Sequence, residues 1–530
     1  MNNQSQAASL PAETDVLIVG YGPAGAALGA LLGRYGVRTL VIDKIHDVME
    51  APRAIALDNE ALRVLQMTGL PESAFARTAI PEVRMHCPHT GQFGYVNTGG
   101  SIDGHPKQIT FYQPELEHAL RDLVATLPRV TVCGGMELVS LQQDSRRVHA
   151  VIRDERGVSR DVTARYLVGA DGASSKVRNL IGQDFQGKTY AEDWLIVDAA
   201  NRKGLAIDHV EFICNPKRPG PHMPAPGGRE RWEFMLLPGE TREEMERPEK
   251  IAELLSPWVD ARDLKIERHA VYRFHARCCD SFQSGRVFLV GDAAHVTPPF
   301  VGQGLVAGLR DVANIGWKLA WVISGKAGES LLDSYDQERR PHAKKMIDLA
   351  RYMGYLVMPR NKQTAIVLHG AMRLMRLVPP LRRLIEDLRI KPANRFDKGF
   401  FIPGKSGSGL LRGGQLPQDF VRTDAGVCLS DDALGDKLTL VGFGVDPRAL
   451  LDDAARAGWG AHGGGFLQVG QRGETADGET DFAEDLGGAL LPAMPRGWVA
   501  VVRPDRVVMH DGPAGAARDV VRACMGALAA

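Results

Sequence analysis

The chain has 530 residues, 44% of them hydrophobic, which is longer than one typical domain and enough for substantial cores. Its 64 basic and 64 acidic residues cancel, so it lacks the basic field that a nucleic-acid binder presents. Seven cysteines without a disulfide-like framework point to a reducing, cytoplasmic setting, and the polar start, Met1 to Glu13, lacks the basic region of a secretory signal. In chain order, an apolar run, Asp15 to Gly20, enters the turn Gly20-Tyr21-Gly22-Pro23-Ala24-Gly25 and then an Ala/Leu-rich helical segment. Strand, glycine turn and helix in succession are the context of a dinucleotide fingerprint. Gly20 permits the tight turn, Gly22 lets backbone approach a pyrophosphate, and Gly25 lets the helix pack on the strand. Asp43 closes the next apolar run about 20 residues on, where a carboxylate accepts both ribose hydroxyls. Glycines and Arg34 interrupt the apolar stretch, as befits a nucleotide-binding unit rather than a membrane span.

His86-Cys87-Pro88-His89 has no matching second half, so no metal is expected. Vicinal Cys278-Cys279 reads as a pair of reduced structural thiols. Gly285 to Asp292 reads as a second buried strand ending in a carboxylate, and a carboxylate there can hydrogen-bond a polyol. A ribityl chain is such a polyol, so the two glycine-rich turns together describe FAD. Pro298-Pro299 and Gly302-Gln303-Gly304 build a side-chain-poor wall for a ring, and a helix starting near Gly304 aims its positive end at the flavin N1 and C2 carbonyl. His295 belongs to this turn and reads as a structural hydrogen-bonding residue rather than a base. Residues 343–393 read as amphipathic helix broken at Pro379-Pro380, packing on the flavin domain or a partner subunit. Gly404 to Gly414 reads as a linker, and Lys437 to Phe443 and Trp498 to Arg503 as strands among helical patterns.

Gly20 to Gly25, Gly169-Ala-Asp171-Gly172 with Ser174-Ser175-Lys-Val-Arg178, and Gly291-Asp292-Ala-Ala-His295 resemble, in order, the three signatures of class A flavin-dependent aromatic hydroxylases. Phe234-Met235-Leu-Leu-Pro238-Gly239-Glu240-Thr241 and Tyr335 to Lys344 are most similar to the group that hydroxylates 3-(3-hydroxyphenyl)propionate. The resemblance covers nearly the whole chain. It implies an α/β fold: a Rossmann-like FAD domain of the GR2 type (14–82, 108–180, 280–345) interleaved with an α+β substrate domain (83–107, 181–279). A helical segment (346–403), a linker (404–414) and a thioredoxin-like tail (415–530) follow. The tail has Cys428 and Cys524 but no CxxC, so dithiol chemistry is not expected of it.

By the same resemblance, Arg53 and Gln113 contact the FAD pyrophosphate and adenosine side, Asp171 sits where FAD meets the nicotinamide cofactor, and Asp292, Pro299, Gly302, Gln303 and Gly304 hold the flavin end. Leu305-Val306 departs from the Asn that many relatives carry after Gly-Gln-Gly. NADH or NADPH would reduce FAD, and O2 would add to form the C4a-hydroperoxide that hydroxylates a small phenol, plausibly 3-(3-hydroxyphenyl)propionate. A larger aromatic on the same fold, or a flavin protein that inserts no oxygen, are the alternatives. Such chemistry needs a dry pocket, for which Phe212, Trp232, Phe234, Met235 and Phe300 are the candidate walls. His209, Tyr272 or a water are the candidates for activating the phenol. Neither nucleic acid nor membrane is expected as partner, and a homodimer is compatible with the helical segment.

Overall fold

The structure is a computed structural model and describes residues 10–50, 53–386, 390–475, 480–491 and 494–530. Residues 1–9, most of the polar start, lie outside the described residues. The strand Glu13–Val19, buried along all but its first residue, runs parallel to both Thr39–Asp43 and Ser159–Gly169. A near-continuous apolar run of this kind suits a parallel strand covered on both faces. Val130–Gly134 extends the sheet beyond Thr39–Asp43, and Val287–Leu289 pairs with Ser159–Gly169 on the other side. The strands therefore deliver Gly20, Asp43, Asp171 and Asp292 to one edge of the sheet. Helices Pro23–Arg34 and Gly304–Ile323 pack against each other over it, with Leu28 and Leu31 against Gly316.

A second, eight-stranded sheet runs His295–Val296, Leu264–Cys279, Phe185–Asn201, Arg229–Met235, Gly220–Ala225, Val210–Ile213, Glu82–Cys87 and Gly91–Asn97. It draws on three stretches of sequence, and one face looks toward the glycine-rich edge. Helix Ser334–Val357 follows, then Lys362–Met375 and Pro379–Glu386. Pro379 opens a helix instead of merely breaking one, in keeping with proline's tolerance in the first turn, where N–H groups have no partner.

In the tail, Leu438–Phe443 lies parallel to Gly464–Gly470 across the helix Asp453–Ala461 and antiparallel to Trp498–Val502. Trp498–Val502 returns through Val508–Pro513 to the helix Ala517–Ala529. Leu438, Trp459, Val499 and Cys524 join the same buried core as the first sheet, so the tail is packed into the molecule. The glycine-rich run 404–414 is pinned as well: Leu410 is buried, and Ser406 and Ser408 both donate to Asp511. Among the described residues no helix is long and apolar enough to cross a membrane, and no cluster of His, Cys, Asp and Glu is arranged to hold a metal ion. Burial pushes the thiols of Cys278 and Cys279 up to about 12.

Candidate active site

Two glycines close the first turn by steric necessity. Gly20 has φ +106°, and a Cβ on it would stand 2.4 Å from the Ala170 carbonyl oxygen; one on Gly25 would stand 2.0 Å from the Gly20 oxygen. Gly22 differs, because a Cβ there would meet nothing within 4 Å: it faces open cavity. Helix Pro23–Arg34 starts beside it with no side-chain cap and no acidic residue in its first turn, leaving N–H groups and positive potential toward that space. The Asp43 carboxylate accepts from the backbone N–H of Tyr21 (2.6 Å) and Ile45 (2.9 Å), which fixes it beside the turn. Gln113 acts as a clamp: its carbonyl oxygen accepts from the N–H groups of Arg53 (2.9 Å) and Ala54 (2.8 Å), and both Arg53 and Gln113 line the cavity.

At the other glycine-rich turn the carboxylates divide into committed and uncommitted. Asp171 accepts from the Ser175 hydroxyl and from the N–H groups of Lys176 (2.7 Å) and Val177 (3.1 Å), so it caps the helix Lys176–Leu180 and does not line the cavity. Arg178, from that helix, donates to Ala173 O (2.8 Å) and Ala293 O (3.0 Å), tying the Asp171 turn to the Asp292 turn. His295 pairs with Asp311 (2.7 Å), which also accepts from Gly291 N–H (3.0 Å) and Arg339 (2.9 Å). His295 is thus a brace of the turn.

Gln303 donates to Asp58 (3.0 Å) and accepts from Arg310 (3.1 Å), inside a network where Lys391 reaches both Asp58 and Glu60 at 2.7 Å. The cations Arg310 and Lys391 outweigh the cost of burial and hold Glu60 down to about 2. Asp292 has no hydrogen-bond partner among the described residues. It lines the cavity, and burial pushes its carboxyl above the usual range against the opposing pull of His295 and Arg53. Helix Gly304–Ile323 begins at Gln303 without a hydrogen-bonding cap, again toward the cavity, with Pro299, Gly302 and Gly304 in the wall.

One cavity of about 910 Å³ connects these features. An unpartnered carboxylate, two uncapped helix starts and a glycine turned to open space fit a diphosphate-bridged nucleotide with a polyol chain. The donor set therefore fits FAD.

The far wall is the second sheet. Val83, Met85, Val210 and Met223 face inward, with Leu349 and Met353 from the helix Ser334–Val357. Of the five expected wall residues, Phe212 and Phe300 line the cavity. Trp232 and Phe234 lie on the opposite face of their strand, where Trp232 stacks on His222 (4.6 Å) and Phe234 packs edge-on to Trp258 (5.7 Å). Met235 packs beside Trp194 beyond the cavity. Alternation along Arg229–Met235 puts Arg231 and Glu233 on the inner face instead, a period-2 signal that a search for aromatics overlooks. His209 is buried against Asp208 (2.9 Å), and the Tyr272 hydroxyl accepts from Arg268; neither lines the cavity. Also unforeseen, Lys391, Leu410, Gln415 and Met494 complete the wall from the helical segment and the tail.

Compared with known proteins, residues 13–350 match the FAD binding domain model and residues 413–527 the HcaD C-terminal domain model. The chain is 37% identical over 510 residues to 3-(3-hydroxy-phenyl)propionate/3-hydroxycinnamic acid hydroxylase 2 of Burkholderia vietnamiensis, covering 93% of each. It is 34% identical over 530 residues to the like-named hydroxylase of Mycolicibacterium smegmatis, covering 98% of this chain and 94% of that one. Among solved structures, the flavin-dependent monooxygenase PieE in complex with FAD and substrate superposes with TM-score 0.81 at 22% identity, covering 97% and 99% of the two chains. Aklavinone-11 hydroxylase with FAD and aklavinone gives TM-score 0.76 at 22% identity, covering 98% and 100%. At that identity the superpositions speak to fold alone.

Proposed function

The chain belongs to the FAD binding domain family, and on that ground we propose that it is an NAD(P)H- and O2-dependent monooxygenase that hydroxylates a phenolic ring. One observation carries the reading: a single cavity joins the unpartnered Asp292 and the Gly22 turn to an apolar wall large enough for an aromatic. FAD, when bound, supplies the redox and oxygen-transfer chemistry. The residues of the chain do the rest. Asp292 accepts from the ribityl hydroxyls, Asp43 from the ribose, and Arg53 neutralises diphosphate from a loop that Gln113 clamps. The N–H groups at the start of Gly304–Ile323 place positive potential at the flavin end, which favours an electron-rich ring there. Val83, Met85, Val210, Phe212, Met223 and Phe300 keep water from the reaction and hold the substrate's ring. Asp171, its carboxylate committed to capping, would border the nicotinamide cofactor through its turn rather than through that carboxylate.

The relatives' names favour 3-(3-hydroxyphenyl)propionate as substrate, oxidised to the catechol. A larger aromatic is the second reading, favoured by the cavity's extension to Leu410 and Met494. Oxygen-dependent NADH and NADPH oxidation by the FAD-loaded protein across a phenol panel tests both. Near one hydroxylated product per reductant names the substrate class; reductant consumption that yields only peroxide, with every phenol, rejects hydroxylation.

The strand order of the tail, with Gly464–Gly470, Leu438–Phe443, Trp498–Val502 and Val508–Pro513 side by side, supports the thioredoxin-like reading. The three largest sheets support a division into interleaved FAD and substrate domains, a helical segment and a tail. A cytoplasmic homodimer completes the proposal, supported by apolar Tyr352, Val367, Leu374 and Leu377 exposed on the helical segment; light scattering at micromolar concentration tests it.

A further inference from the structure

Where the second sheet lines the cavity it is apolar except along one strand. Arg231 and Glu233 stand two residues apart on Arg229–Met235, both turned into the cavity. Arg231 is well provided for: its guanidinium donates to both carboxylate oxygens of Asp198 (2.6 and 3.0 Å) and to the Arg53 carbonyl (3.0 Å). Glu233 has no hydrogen-bond partner among the described residues, although it is only 6% exposed. The charged groups that face it are Arg231 on its own strand and Asp198 on Phe185–Asn201; strand Gly220–Ala225 offers only Pro221 and Met223. Burial therefore dominates its titration and raises the carboxyl to about 7, with Arg231 opposing.

Buried polar groups nearly always find partners, and a carboxyl left without one is costly wherever nothing else enters the site. An alkyl side chain would close this wall at no such cost. The missing partner must therefore come from what the cavity takes in. Apolar surroundings suit an aromatic ring, and a carboxylate facing it suits a hydrogen-bond donor on that ring. This inference rests on the monooxygenase reading for the identity of its ligand.

We propose that Glu233 is a substrate-contacting, specificity-determining residue whose carboxylate accepts the hydrogen bond of a ring hydroxyl on the aromatic substrate. The ionised form accepts best, so recognition strengthens as pH rises through about 7. A substrate that presents an ether or an anion to this wall leaves Glu233 unpaired and is rejected.

The experiment compares phenol with anisole, in which a methyl replaces the hydroxyl hydrogen and so removes the donor, as ligands of the FAD-loaded protein, read by perturbation of the flavin absorbance without turnover. Wild type should bind phenol about 10- to 100-fold more tightly than anisole at pH 8, as for a hydrogen bond to a charged group, and the ratio should shrink at pH 6. Glu233→Leu should bind the two alike, and Glu233→Gln should keep a reduced ratio that no longer changes with pH. A wild type that does not distinguish the pair, or a leucine variant that keeps the wild-type ratio, overturns the proposal. Should Glu233→Leu fail to retain FAD, the glutamine variant decides: a flat pH profile supports the contact and a wild-type profile overturns it. A phenol preference without any hydroxylated product would reject the monooxygenase reading and leave the contact standing, whereas hydroxylation with no preference would reject the contact alone.

Discussion

At Asp292 a carboxylate faces the cavity with no donor among the described residues, while Asp171 and Asp311, from the neighbouring signature and the adjoining helix, are each fully engaged. Similar residues in similar motifs thus carry different expected costs on mutation. Asp292→Ala removes hydrogen bonds to the ligand and leaves no buried donor stranded, so the fold should stand while FAD affinity falls by about 10- to 100-fold. Fluorescence titration of the apoprotein checks this; unchanged affinity with full flavin occupancy would dismiss the ribityl role. Gly25→Ala should behave differently, since its Cβ would stand 2.0 Å from the Gly20 oxygen and the helix must move off the strand. Loss of soluble, flavin-loaded protein is the expected result.

Among the elements, the strand Arg229–Met235 shows how a two-residue period distributes function. Trp232 and Phe234 anchor its outer face under the helix Pro248–Leu255, and Arg231 and Glu233 serve the cavity. Trp232→Ala should cost about 3–5 kcal/mol of stability, as for other large core truncations, with little change in coupling between reductant use and product. Phe212→Ala should do the reverse: a modest change in melting temperature, but more peroxide per turnover as water enters. The helices Asn59–Thr68 and Gly304–Ile323 are joined through Glu60, Asp58, Arg310 and Lys391. Glu60 is held down to about 2 against an ordinary 4.5, so its contribution to stability is whole above about pH 4.5 and is lost as pH falls toward 2. Its contribution is of order 3 kcal/mol at neutral pH. Denaturant titrations between pH 5 and 3 should show Glu60→Gln less stable at pH 5 and converging with wild type as the pH drops.

For the whole molecule, the tail is bound to the rest by buried charge as well as by the shared core. Glu338 accepts both prongs of Arg503 (2.7 and 2.9 Å) and the Lys318 ammonium (2.8 Å), all of them shielded from solvent. Arg63 makes a second link, bidentate to Asp431 at 2.7 Å. Removing one partner leaves the others as uncompensated buried charges, so Arg503→Met should destabilise by about 3–5 kcal/mol. Calorimetry should show one cooperative transition for wild type; separate melting of the tail would contradict the common core.

What could be read from the residues alone was local: the Gly20 to Gly25 turn, the strand that feeds it, the carboxylate after the second strand and the helix after Gly302-Gln303-Gly304. These are set by steric rules within a few residues, where a missing Cβ or a helix start leaves its mark in the order of residue types. Tertiary structure decided everything that depends on a distant partner. Asp171 is spent on its own helix and Asp292 has no partner among the described residues; Gln303 is taken up by Asp58, which lies far back in the chain. Tertiary structure also decided which side of Arg229–Met235 meets the cavity, because a strand's two faces differ only in what packs on each. It brought Lys391, Leu410 and Met494 into the wall. Hydrophobicity marks a residue for burial but not for a particular interior, and only the packed chain separates the core behind Trp232 from the cavity in front of Glu233.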